Sequence, residues 1–127
     1  MCFAVFIAAD CPLPLVTQTS PPSFSVEELA ERSLAIIARF PADWCVRYVG
    51  STSGCGCDFH GNDSSTSRAA LRDYLATLPA NARVFIHICW EGDESAPIAK
   101  RISLTAHDLV ASGDAFDEGV RITLVSR

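Results

Sequence analysis

Short apolar runs alternate along the chain with polar breaks marked by proline or glycine, and that rhythm predicts a succession of strands and helices. Cys2 to Ala8 is a continuous apolar run of strand length, rich in aromatic and branched residues, and reads as a buried strand. Residues 12–24 hold four of the seven prolines, which lack the amide donor that a helix or ladder needs, so a connecting loop follows. Ser25-Val26-Glu27-Glu28 then has the form of a capping box, with Phe24 and Leu29 as a hydrophobic staple. Val26, Leu29, Ala30, Ser33, Ile37 and Phe40 recur near the helical period until Pro41, which predicts a helix between them.

Trp44 to Val49 reads as the second strand, with Trp44, Val46 and Tyr48 on one face and Cys45, Arg47 and Val49 on the other. A glycine-rich segment from Gly50 to Asp63 follows, long enough without internal structure to be a candidate for function. A second helix opens near Ser64 or Ser65, presents Leu71, Tyr74, Leu75 and Leu78 on one face, and stops at Pro79. Ala82 to Trp90 alternates with both faces largely apolar, as a central strand covered on each side would. Lys100 to Leu104 is the fourth strand, Thr105-Ala106-His107-Asp108 caps a short helix that Gly113 closes, and Val120 to Val125 is the last strand.

This order predicts an α/β (or α+β) fold: a single mixed sheet of about five strands with two main helices and one short helix, in a single domain spanning residues 1–127. The helices between the first three strands favour crossover connections and parallel pairing, with a mixed edge from the last two strands. At 49% apolar and 20% charged residues, the composition suits one packed core.

The net charge of −5 and the scattered lysines and arginines weigh against a nucleic-acid partner. No run approaches the roughly 18–20 apolar residues of a membrane span, and the apolar start lacks the basic leader of an export signal. The expected location is therefore cytoplasmic, where the cysteines at positions 2, 11, 45, 55, 57 and 89 read as free thiols or metal ligands in preference to disulfides. Cys45 and Cys89 fall inside apolar strand patterns, where a thiol behaves as a small buried hydrophobe.

Candidate chemistry concentrates at Gly54-Cys55-Gly56-Cys57. A glycine between two thiols permits the tight turn that brings both sulfurs to one ion, and thiolates suit zinc. A tetrahedral site needs about four ligands. His60 lies shortly after the pair, and parallel strands would bring Cys89 to the same sheet edge, so Cys55, Cys57, His60 and Cys89 form the candidate metal set. Other readings stay open: the cysteines simply pack, Cys55 or Cys57 serves as a redox or nucleophilic thiol, or the glycines shape an anion-binding nest. Glu91, Asp93 and Glu94 read as a solvated surface cluster, His87 as a core histidine satisfied by one hydrogen bond, and His107 as a solvated first-turn residue.

Met1-Cys2 looks like the opening of the class II glutamine amidotransferases, in which the N-terminal cysteine is the nucleophile, but Phe3 stands where that family has glycine. Met1-Cys2 at an apolar strand, Tyr48-Val49-Gly50-Ser51, Gly54-Cys55-Gly56-Cys57-Asp58-Phe59 and Cys89-Trp90-Glu91-Gly92-Asp93 together resemble a family of small uncharacterised bacterial proteins with a Tyr-x-Gly-Ser-x-x-Gly-Cys-Gly-Cys loop. The resemblance implies a bacterial cytoplasmic setting and no particular reaction. If it makes Cys2 a partner of Cys55 and Cys57, the first strand must run antiparallel to its neighbours, or a partner subunit must intervene. Three functional readings follow: a binding or regulatory module with a ligand or metal at the cysteine loop, a thiol-dependent enzyme, and a structural or interaction subunit such as a homodimer.

Overall fold

The computed structural model describes residues 2–17, 24–51, 56–61 and 65–126. Its centre is one sheet of six strands in the order β2-β3-β1-β4-β6-β5. The strands are β1 (Phe3–Ala9), β2 (Ser25–Glu27), β3 (Cys45–Gly50), β4 (Val84–Trp90), β5 (Lys100–Thr105) and β6 (Val120–Ser126). Two α-helices, α1 (Ser65–Ala76) and α2 (Ala106–Ala111), join the 3-10 helices Glu31–Arg39, Gly56–Phe59 and Gly113–Ala115.

Every residue of β1 is buried, as its unbroken apolar sequence demands. The strand alternation sorts these side chains into two cores. Phe3, Val5 and Ile7 meet Ile86, Ile88 and Ile122 on one face, under Leu71 and Leu75 of α1 and Leu109 of α2. Ala4, Phe6 and Ala8 point the other way, toward Cys89 and toward Ile36 and Phe40 of the long 3-10 segment. The sheet is thus a middle layer, with the α-helices on one side and the 3-10 helix Glu31–Arg39 on the other.

Strand direction corrects the sequence reading. β1 is antiparallel to both β3 and β4, β4 is antiparallel to β6, and parallel pairing occurs between β5 and β6. β3 and β4 therefore run in the same direction and α1 crosses between them, but β1 lies between the two strands and pairs antiparallel with each. The strand missing from the expected five is β2, which occupies the predicted capping box. Val26 is fully buried opposite Val49, and Ser25 Oγ donates to Glu27 Oε2 at 2.7 Å, within its own strand. The helix therefore starts later, at Glu31, and winds as a 3-10 helix. Its tighter turn of about three residues buries Ser33, Ile36 and Phe40 and leaves Ile37 half exposed.

The remaining elements follow their sequence signals, except that α2 ends at Ala111 with Ser112 as its C-cap and Gly113 opens a 3-10 helix instead of closing α2. Leu71 and Leu75 are fully buried, Tyr74 and Leu78 nearly so, and Tyr74 donates its hydroxyl proton to the Pro14 carbonyl at 2.7 Å. Thr105 caps α2 by accepting from the Asp108 amide at 3.1 Å.

Candidate functional site

The cysteine loop returns to the sheet at the short 3-10 helix Gly56–Phe59. Beyond Gly50, β3 no longer covers that flank of β1, and the backbone at Phe3 meets the loop instead. The Phe3 amide donates to Cys57 Sγ at 3.3 Å. Gly56 approaches so closely that a Cβ there would lie 2.0 Å from the Phe3 carbonyl oxygen. His60 stands beside the Phe3 ring, with centroids 5.8 Å apart, and its Nδ1 lies 3.0 Å from the Phe116 carbonyl. A carbonyl only accepts, so Nδ1 carries the proton.

Buried Arg68 of α1 fixes the far side of this loop. Its guanidinium donates to the carbonyls of Phe59 at 2.9 Å, Gly61 at 2.6 Å and Val110 at 3.0 Å. Ser67 donates to Asp58 at 2.5 Å. Arg68 thereby ties together the loop, α1 and α2, a role that its place in a helix does not announce in the sequence.

Of the expected metal ligands, the three that lie among the described residues, Cys57, His60 and Cys89, do not form a cluster able to share an ion. Cys55, like Gly54, lies outside the described residues. Cys57 packs against the core beneath the α-helices, whereas Cys89 lies 2% exposed in the core on the opposite face of the sheet. β3 and β4 are both antiparallel to β1 and so run in the same direction and end on one sheet edge, as expected; what parts Cys89 from the loop is strand alternation, which turns its side chain to the face away from Cys57. Among the described residues no three histidine, cysteine or acidic side chains are placed to share an ion. The antiparallel course of β1 does bring the start of that strand to Cys57, and the Cys2 carbonyl accepts from the Glu91 amide at 2.8 Å.

A second site lies on the other face, at the end of β4. There the loop after Trp90 folds back to leave a cavity of about 440 Å³. His87 and Cys89 line it from the strand, Ala96, Pro97 and Ile98 from the loop, and Gly119 from the turn before β6. His87 is 1% exposed, yet its Nδ1 has no hydrogen-bond partner, where the sequence reading gave it one. Burial pushes its pKa down to about 4, with Arg121 and Arg39 acting in the same direction, so the imidazole is neutral at pH 7. The Cys89 thiol is pushed up to about 12 by burial, with Glu94 and Asp93 adding to the effect, and so remains protonated.

The acidic turn also differs from the expected solvated cluster. Glu91 and Asp93 are exposed, but Glu94 is buried and accepts from Ser33 Oγ at 3.2 Å. This bond ties the turn to the 3-10 helix and helps hold the cavity loop in place. Sequence reasoning also passed over Arg39 and Arg121. The available signal was Arg121 itself, a cation between two apolar residues on a strand, where alternation directs it into the second core.

No helix among the described residues is long and apolar enough to cross a membrane. Family models, curated proteins and solved structures yielded no match to this chain.

Proposed function

We propose that this protein is a binding module for a small organic molecule, held in the cavity between the end of β4 and the loop Asp93–Ala99. The observation that carries this reading is the unpartnered Nδ1 of His87 in the cavity wall. Leaving a buried polar group unsatisfied costs about 1–3 kcal/mol, and a ligand able to complete the hydrogen bond relieves that cost. A concave space of mixed apolar and polar lining, with a convergent polar group, is the usual form of a small-molecule site. The protonated thiol of Cys89 supports binding over nucleophilic chemistry here, because the thiolate is the reactive form.

The test is titration of isotope-labelled protein with benzamide, benzoate and indole, followed by amide chemical shifts. Saturable shifts centred on Cys89, Ile98 and Gly119 are expected for at least one probe. Ala96→Trp, which fills the cavity from a half-buried position, should weaken that binding at least tenfold without loss of the folded spectrum. Shifts scattered elsewhere, or unchanged affinity in the filled variant, would rule the cavity out.

A further inference from the structure

The charged lining of this cavity has one sign. Asp93 and Glu118 line it, and neither a lysine nor an arginine does. Both carboxylates are exposed whereas His87 is 1% exposed, so the acids mark the mouth and the imidazole the inner wall. The ion pairs among the described residues are Arg72 with Asp73 and Arg83 with Asp10, so neither lining carboxylate has a cationic partner there. The acidic field extends along the loop, because Asp93 and buried Glu94 both act on the Cys89 thiol in the cavity wall. The net charge of −5 adds a general attraction for cations.

Positive charge bears on the imidazole from outside the cavity. Arg121, opposite His87 in the pairing of β4 with β6, and Arg39 both act on it without lining the space. Their contacts are aromatic and backbone groups: Arg121 lies over the Phe40 ring and donates to the Arg39 carbonyl, and Arg39 donates to the Ser95 carbonyl. A cationic group is therefore opposed at the His87 end and favoured at the mouth. The unpartnered Nδ1 of the neutral imidazole calls for an uncharged hydrogen-bonding group at the inner end.

We propose that the ligand is an organic ammonium ion whose charged end lies at Asp93 and Glu118, whose apolar body lies against Ala96, Pro97 and Ile98, and whose uncharged polar group meets His87. This assignment rests on the cavity being the binding site and adds the charge and orientation of what it holds.

Three probes of similar shape, 4-hydroxybenzylammonium, 4-hydroxybenzyl alcohol and 4-hydroxybenzoate, separate the two claims when titrated into the full chain at low salt. The ammonium ion should bind about fivefold more tightly than the alcohol, the gain expected of ion pairs at exposed carboxylates, and the benzoate should bind least. Raising the salt concentration should shrink that preference. Asp93→Asn combined with Glu118→Gln should remove most of it and leave affinity for the alcohol within about twofold, since both side chains are exposed. Either single variant should reduce the preference in part and decides the matter if the double variant does not fold. An ammonium ion that binds no more tightly than the alcohol, or a preference that survives loss of the carboxylates, would overturn the cation assignment and leave the cavity reading standing. Failure of all three probes to shift the cavity amides would overturn both.

Discussion

Gly56 lies against β1 so closely that one added methyl group would collide with backbone, which cannot swing aside as a side chain can. Gly56→Ala should therefore destabilise the protein by about 1–3 kcal/mol, the usual cost of overpacking, seen as a lower urea midpoint. His87 gives a pH signature. Its pKa is about 4 in the folded chain against an ordinary 6.5, so below pH 6.5 the unfolded chain binds more protons and stability falls, levelling off below about pH 4. Across that window His87 should contribute a loss of about 3 kcal/mol. Comparing urea midpoints of the wild type and His87→Phe at pH 4.5 and pH 7 isolates this effect from the carboxylates, and an identical pH dependence in both would contradict it. Cys89, protonated and buried, should react with a disulfide reagent only as the protein unfolds, measured as labelling that accelerates with urea alongside the loss of structure.

Among elements, the cysteine loop owes its position to hydrogen bonds that cross from one segment to another. Arg68 serves carbonyls in the loop and at the end of α2, while the Phe3 amide finds its acceptor in Cys57. Arg68→Met leaves those carbonyls without their donor and should cost about 2–4 kcal/mol in thermal or urea unfolding, with the loop amides losing exchange protection first. The long 3-10 helix is the corresponding element on the other face. Its apolar spacing is compatible with either a three-residue or a 3.6-residue turn, and packing of Ser33, Ile36 and Phe40 against the second core selects the tighter one. Local spacing was enough for α1, whose apolar face agrees with its packing, and for α2, whose cap at Thr105 forms as its sequence indicates. It was not enough for Ser25–Glu27, where a good capping signal lost to the burial of Val26 beside Val49.

At the scale of the molecule, the sheet separates two chemistries. The loop with Cys57 and His60 belongs to the α-helical face, and the cavity with His87 and Cys89 belongs to the face covered by the 3-10 helix. The sequence by itself determined the mixed strand-and-helix class, the buried runs of β1 and β4, the amphipathic α1 and the capped α2, because apolar period and cap chemistry act within a few residues of one another. Only the tertiary structure decided strand direction, the extension of the sheet by β2, the separation of Cys89 from the loop and the gathering of Arg39, His87 and Arg121. Those outcomes depend on which distant segments pack together and on which buried polar atoms are thereby left without a partner, and neither is encoded in the spacing of neighbours along the chain.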